Sequence, residues 1–136
     1  MQLNQATDYA FRVLLCLSQL PAETIVRGSE IAASQKIPSR FLLKIMRSLA
    51  QAGLVKSFRG VEGGYALAKL PEKISLYDVI EAMEGPVVIH RCLNGIDNCT
   101  RRLGAECAVH RALGTVQIAL VDNLRSINFA VLAEVK

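Results

Sequence analysis

The chain has 136 residues, of which 51% are apolar, and it carries a formal net charge of +4. This length favours one domain, or one domain with a dimerisation element, and the apolar fraction is sufficient for a buried core. Because no run reaches the roughly 18 apolar residues of a membrane span, and the N-terminus lacks a signal-peptide pattern, we expect a cytoplasmic protein with no membrane partner.

Three helices and a hairpin are predicted in the first 70 residues. Apolar residues at helical spacing predict a helix over residues 4–20, a short helix over 28–36 and a third helix from about 38 to 52. Two strand-like runs, 54–58 and 65–69, flank the sequence RGVEGG, whose glycines permit a hairpin tip. The order of helix, helix, turn, helix and hairpin is that of a winged helix-turn-helix.

The third predicted helix divides into an apolar and a basic face. Residues 1–60 carry eight basic and three acidic side chains, a net charge of +5, whereas the remaining residues sum to −1. A basic half suits a polyanion partner, although a solvated basic surface would show the same balance. The residues expected on the inner face are Phe41, Leu42, Ile45 and Leu49.

Double-stranded operator DNA is the expected partner of this basic half. A recognition helix needs side chains that reach base edges and cations that hold phosphates, and arginine suits a narrow minor groove. Leu43 could pack on a thymine methyl or lie partly in the core, and Ser39 could bind a phosphate or cap the helix. The candidate DNA-binding residues are Ser39, Arg40, Leu43, Lys44 and Arg47 on the helix, and Arg59 and Gly60 at the hairpin tip.

The second half of the chain predicts a helix, a long loop and a final helix. Ser75 is a plausible N-cap for a helix over 75–84, and residues 86–104 form a loop that is long for a structureless connection. A continuous apolar seam predicts a last helix over 105–132 and favours a partner helix, hence a homodimer. The expected fold is mostly α with a small β-hairpin wing: a winged helix-turn-helix with a long C-terminal dimerisation helix. Its expected parts are a DNA-binding domain over 1–70, a connecting helix and ligand loop over 71–104, and the dimerisation helix over 105–136.

Both histidines and three of the four cysteines lie in the segment HRCLNGIDNCTRRLGAECAVH, residues 90–110. Where thiols stay reduced, soft ligands at this density favour a metal or an iron–sulfur cluster. Such sites usually need four ligands, and His110, His90 or a distant carboxylate could complete the three cysteines. A structural zinc site, reduced surface thiols and a redox-active cysteine pair are the alternatives. The fourth cysteine, Cys16, lies in the apolar run VLLCL, and we interpret it as a small core residue.

Three stretches of the chain resemble a known family: ATDYAFRVLLCL, IPSRFLLKIMRSLAQAGLVKSFRGVEGGYAL, and ISLYDVIEAMEG followed by three cysteines. They look like the iron–sulfur cluster-binding winged-helix repressors, the family that includes the regulators IscR and NsrR. The resemblance covers nearly the whole chain, and RGVEGGYAL is its most specific part. It implies a homodimeric transcriptional regulator with one 2Fe-2S or 4Fe-4S cluster in each subunit. We do not expect an enzyme, because no Gly-rich phosphate loop or carboxylate pair accompanies Cys107 and His110 in the sequence.

By position, the resemblance makes Cys92, Cys99 and Cys107 the thiolate ligands of this cluster. Family members differ in the fourth ligand, and this chain matches both versions, with His110 after the last cysteine and Asp8 in the first helix of the partner subunit. The resemblance also implies that nitric oxide, oxygen, redox state or iron supply acts on operator affinity through the cluster. A winged-helix protein with structural zinc and a cluster-free interaction module are the alternative functions.

Two features depart from the family pattern. The spacing of the cysteines is slightly wider than usual, which leaves the cluster type open. Leu43 stands where some relatives carry a glutamate that discriminates between DNA motifs. Leucine cannot accept a hydrogen bond from cytosine, so the operator sequence of those relatives does not transfer to this chain.

Overall fold

The computed structural model describes residues 2–95 and 100–135, so the predicted ligand Cys99 lies outside the described residues. Within these described residues, three short 3₁₀ turns, at Pro71–Lys73, Arg91–Asn94 and Gly104–Glu106, lie among the regular elements. Those elements are α1 (Gln5–Ser18), α2 (Gly28–Gln35), α3 (Ser39–Gln51), β1 (Val55–Phe58), β2 (Gly64–Leu67), α4 (Leu76–Glu84), α5 (Ala108–Ser126) and α6 (Phe129–Ala133). This order confirms the predicted winged helix-turn-helix. Among the helices of the described residues, none has the length and hydropathy needed to cross a bilayer.

Helix α1 is the central helix of the core. Asn4 caps its N-terminus, because the Asn4 side chain accepts a hydrogen bond from the Thr7 backbone N–H. The buried face of α1 packs against α2, α3, α4 and α6. Its buried apolar residues are Ala10, Val13, Leu14 and Leu17.

The hairpin is held against the segment that leads into α2. Strands β1 and β2 are antiparallel, with Val55 opposite Leu67 and Phe58 opposite Gly64. Val26 and Tyr65 exchange two backbone hydrogen bonds, of 2.9 and 2.8 Å, so Val26 extends the sheet beside β2. A Cβ atom at Gly64 would lie 2.3 Å from the Val26 carbonyl oxygen, so this close approach requires glycine.

Helix α4 begins as predicted. The Ser75 side chain accepts a hydrogen bond from the Asp78 N–H, and the Asp78 carboxylate accepts one from the Ser75 N–H, which completes a capping box. The helix ends at Glu84, and Gly85 follows it with a φ of 83°. The long loop after α4 is only partly irregular, since the second 3₁₀ turn lies within it.

The single helix predicted over 105–132 is wrong, because the chain forms two helices there. Ile127 is extended; its carbonyl accepts from the Leu76 N–H at 2.9 Å, and the Phe129 N–H donates to the Ile74 carbonyl at 2.9 Å. Asn128 then caps α6, and the Phe129 side chain is 1% exposed in the core. The break therefore directs the chain back against the N-terminal domain, and the predicted apolar stripe does not continue along one long helix.

Helix α5 has no buried residue in this single subunit. One side packs on α4, where Leu120, Val121 and Leu124 contact a small buried cluster. Other apolar residues of α5 face solvent: Val109 is 64% exposed, Val116 54% and Ile118 64%. An apolar surface of this kind on a long helix is typical of a protein–protein interface.

Candidate functional site

Helix α3 presents the predicted basic face to solvent. Leu42, Ile45, Met46 and Leu49 are buried, at the i, i+3, i+4 and i+7 spacing of a core-facing stripe. The prediction of Phe41 on the inner face is wrong: Phe41 is 39% exposed and Met46, at 1%, occupies the core. The five candidate DNA-binding residues of α3 are all exposed: Ser39, Arg40, Leu43, Lys44 and Arg47.

The structure resolves both alternatives left open on α3. Leu43 is 60% exposed, so it is not a core residue. Pro38 occupies the N-cap position of α3 and no side chain caps the helix, so Ser39 does not act as a cap. Both side chains are free to contact a ligand on this face.

Helix α3 and the hairpin form the two walls of one open groove, which we call the α3–hairpin groove. Leu43 lies on the α3 side, and Arg59 and Gly60 lie on the hairpin side. Gly60 has a φ of 103°, a conformation that lets the hairpin tip turn beside Arg59. The structure thus brings one helix candidate, Leu43, together with the two hairpin candidates, Arg59 and Gly60.

Arg27, which was not among the predicted DNA-binding residues, lies beside Gly28, a residue that lines the α3–hairpin groove. Its Nη2 atom donates a hydrogen bond to the Val61 carbonyl at the hairpin tip, at 3.1 Å. Arg27 is the N-cap residue of α2. The two residues lie 34 positions apart, so no local pattern in the sequence could have indicated the contact.

The segment around Cys92 is attached to α5. The Cys92 N–H donates to His90 Nδ1 at 3.2 Å, so that ring nitrogen caps the second 3₁₀ turn. The Ile89 N–H donates to the Gln117 side chain at 3.0 Å. Leu93 packs beside Gly114 on α5: a Cβ atom added at Gly114 would lie 3.8 Å from Leu93 Cδ2.

Cys107 and His110 lie together at the start of α5. Cys107 is the N-cap residue of α5, and His110 follows within the first helical turn. His110 Nδ1 is buried and, within the described part of the chain, has no hydrogen-bond partner. Cys92 and Cys107 are both half-buried free thiols. Cys16 on α1 is half-buried as well, so it is not the buried core residue that was predicted.

The ligand set as a whole is not assembled in the described ranges. Within residues 2–95 and 100–135, no three His, Cys, Asp or Glu side chains form a group that could hold a metal. Cys99, the middle predicted ligand, falls in the gap between those ranges. The structure therefore brings Cys107 and His110 close together and leaves the remaining ligands as predictions.

Asp8 lies on the exposed side of the first turn of α1. Its Oδ2 atom forms a salt bridge with Arg12 Nη2 at 2.8 Å. Arg12 Nη1 also donates to the Gln35 carbonyl, at 3.2 Å, where α2 ends. Arg12 therefore links Asp8 to the turn between α2 and α3.

Comparisons with known proteins identify the family. The model of the Rrf2 family, described as an iron-dependent transcriptional regulator, matches residues 3–135. NsrR of Bacillus licheniformis, an HTH-type transcriptional regulator, is 34% identical over 125 residues, which are 91% of this chain and 86% of that protein. NsrR of Halalkalibacterium halodurans is 33% identical over 125 residues, covering 92% and 83%. A relative from Mycobacterium tuberculosis is 38% identical over 87 residues, and this chain spans about half of its length, 54%.

Solved structures show the same fold. CymR, the global cysteine regulator of B. subtilis, superposes with a TM-score of 0.78 at 25% identity, covering 100% of this chain and 98% of that one. IscR of T. potens superposes with a TM-score of 0.74 at 25% identity, covering 100% and 89%. These relatives are regulators, not enzymes. The chain therefore belongs to the Rrf2 family of winged-helix transcriptional regulators.

Proposed function

We propose that this chain is a homodimeric, DNA-binding repressor whose operator affinity is controlled by an iron–sulfur cluster. The observation that supports the cluster is the buried Nδ1 atom of His110, three residues after Cys107, which has no hydrogen-bond partner within residues 2–95 and 100–135. Leaving a buried polar atom without a partner costs about 1–3 kcal/mol. A bond from this nitrogen to a metal would remove that cost, so the residues present fit a metal-bound group.

The chemistry of the donor set favours iron–sulfur or zinc. Cys92, Cys99, Cys107 and His110 supply three thiolates and one imidazole, which suit both. Iron is favoured because the matched family is described as iron-dependent. When bound, the cluster supplies a centre whose oxidation state and ligands respond to nitric oxide, oxygen or iron supply.

The ligand residues are placed to affect α5. Cys107 occupies the N-cap position of α5, and the segment of Cys92 contacts α5 through Leu93 and through the Ile89–Gln117 hydrogen bond. Holding both thiols in one site would fix this segment against the first half of α5. The exposed apolar residues of α5 form the homodimer interface, so the segment controls how the two subunits are placed.

Placement of the subunits determines DNA binding because a dimer reads two half-sites at a fixed spacing. A change in the ordering of the ligand segment would alter that spacing between the two α3–hairpin grooves. Coupling energies of about 1–3 kcal/mol between two sites correspond to roughly 5- to 150-fold changes in affinity. Regulation of this size is sufficient for a genetic switch.

His110 is the better candidate for the fourth ligand than Asp8 of the partner subunit. The Asp8 carboxylate already has a salt-bridge partner in Arg12 at 2.8 Å, whereas His110 Nδ1 has none among the described residues. Ligation by Asp8 would compete with this salt bridge and so would weaken the link from α1 to the end of α2.

The first test compares two variants, His110→Ala and Asp8→Ala. Because we assign the fourth ligand to His110, we expect His110→Ala to lose most of its iron and sulfide after anaerobic reconstitution. Asp8→Ala should retain the wild-type content. The reverse result would assign the ligand to Asp8 of the partner subunit, and normal content in both variants would contradict the His110 assignment.

The second test concerns the α3–hairpin groove. Arg59→Ala should weaken binding to a DNA duplex that the wild-type protein has selected from a random library. Loss of an arginine that contacts base edges in a groove of the DNA costs about 1–3 kcal/mol, or roughly 5- to 150-fold in affinity. The measurement is an anisotropy titration at one fixed salt concentration, because phosphate contacts make affinity depend on salt.

Arg125→Ala is the matched control for Arg59→Ala. Arg125 lies on the last turn of α5, where its guanidinium stacks on Tyr77 at 4.1 Å, outside the α3–hairpin groove. The control removes the same charge and should bind DNA almost as the wild type does. Equal losses of DNA affinity in both variants would show a nonspecific charge effect and would contradict a specific role of the hairpin in DNA binding.

A further inference from the structure

We infer that Arg27 is a positioning residue, which holds the hairpin tip in the orientation that DNA binding requires. This inference rests on the proposed DNA-binding function. Arg27 Nη2 donates to the Val61 carbonyl at 3.1 Å, from the N-cap position of α2 to the tip of the hairpin. The Arg27 side chain is exposed, so it contributes little to the core.

The base of the hairpin is already fixed without Arg27. Val26 pairs with Tyr65, and Gly64 lies so close to the Val26 carbonyl that a side chain is excluded there. The strand pairing ends at the Phe58–Gly64 pair. Beyond that pair, the Gly63 N–H donates to the Gly60 carbonyl at 3.0 Å, which closes the turn upon itself but does not attach it to the domain.

The Arg27 hydrogen bond supplies such an attachment. Val61 is 90% exposed, so its side chain packs on little, and its carbonyl is the atom that Arg27 holds. Val61 follows Arg59 and Gly60, which are two of the hairpin residues that line the α3–hairpin groove. Fixing Val61 therefore limits the positions that Arg59 can take relative to Leu43 on α3.

A fixed tip binds DNA more tightly because less conformational entropy is lost on association. In this arrangement Arg27 acts through Arg59 and does not need to contact DNA itself. A direct phosphate contact by Arg27 would have different signatures. It would add to the effect of Arg59, and its loss would reduce the dependence of affinity on salt by about one ion.

The DNA-binding test is a double-mutant cycle of Arg27→Ala and Arg59→Ala, on a duplex selected from a random library by the wild-type protein. One exposed hydrogen bond is worth roughly 2- to 10-fold in an equilibrium constant. We expect Arg27→Ala to weaken binding by about this factor alone and by almost nothing in the Arg59→Ala background. The slope of affinity against salt should stay unchanged. Additive losses with a smaller slope would overturn the inference.

A second measurement examines the free protein without DNA. In Arg27→Ala we expect hydrogen exchange of the Gly63 amide, bonded to the Gly60 carbonyl, to become several-fold faster, while the Tyr65 amide, bonded to Val26, keeps its wild-type rate. Unchanged exchange at the tip would overturn the inference. Failure of the wild-type protein to select any DNA would overturn the proposed function, whereas the exchange comparison would still decide whether Arg27 holds the tip.

Discussion

Cys107→Ala protein, prepared without oxygen, is expected to contain almost no iron or sulfide and to bind operator DNA about 5- to 150-fold more weakly than the wild type. Cys107 is half-buried, occupies the N-cap position of α5 and lies three residues before His110, whose buried Nδ1 atom has no hydrogen-bond partner among the described residues. Its thiolate has no obvious substitute at that end of the ligand segment. Cys92→Ala, at the other end of the ligand segment, should show the same losses of iron, sulfide and DNA affinity. The measurements are iron and sulfide analysis, the visible spectrum and a DNA titration on each preparation.

Cys16→Ala is the matched control for these variants. Cys16 is also a half-buried free cysteine, but it lies on α1, outside the ligand segment. We expect this variant to keep the iron content and the DNA affinity of the wild type. Wild-type iron content in Cys107→Ala, or an equal loss in Cys16→Ala, would contradict the ligand assignment.

Phe129→Ala is expected to lower the free energy of unfolding by about 3–5 kcal/mol, which is typical of a large aromatic side chain removed from a core. Phe129 is 1% exposed and lies near Phe11, with ring centroids 6.5 Å apart. Its position after the break between α5 and α6 means that it anchors the C-terminal segment to α1. The measurement is denaturant unfolding at one fixed protein concentration, because subunit association contributes to the apparent stability.

Phe41→Ala serves as the control for Phe129→Ala. The Phe41 side chain is 39% exposed, so its removal leaves no closed cavity, and we expect a loss of less than about 1.5 kcal/mol. A loss below about 1 kcal/mol for Phe129→Ala would be too small for a core aromatic residue. It would mean that α6 does not pack in the core as described.

Much of the N-terminal fold could be predicted because its signals are local. Apolar spacing, Pro38 and the glycines of the hairpin predict α1, α2, α3, β1 and β2 within a few residues of their observed bounds. The exposure of Phe41 could not be predicted, because Phe41 and Leu42 are adjacent apolar residues. Only the packing against α1 and α4 decides which of them faces the core.

The break between α5 and α6 has a long-range cause. The apolar spacing continues through Ile127 and Val131, so the sequence pattern favours one helix. The break is fixed by backbone hydrogen bonds from Leu76 to Ile127 and from Phe129 to Ile74, about 50 residues away in the sequence. Periodicity describes one segment at a time and contains no information on such pairing.

The contacts of the candidate site are likewise either local, and predictable from the sequence, or long-range. The three-residue interval between Cys107 and His110 places both on one turn, and the interval between Asp8 and Arg12 permits their salt bridge; both are readable from the sequence. The contacts of Arg12 with Gln35 and of Arg27 with Val61 join separate elements. These contacts depend on how the elements pack in the fold and cannot be read from the sequence.

The most direct test of the central claim is the iron, sulfide and zinc content of the wild-type protein purified without oxygen, together with its visible spectrum. Our account predicts a coloured protein that contains iron and sulfide and no stoichiometric zinc. A colourless protein with one zinc per subunit would contradict the cluster and support a structural metal. A protein that stays colourless and metal-free after reconstitution with iron and sulfide would also contradict it, and would leave a winged-helix regulator without a cluster.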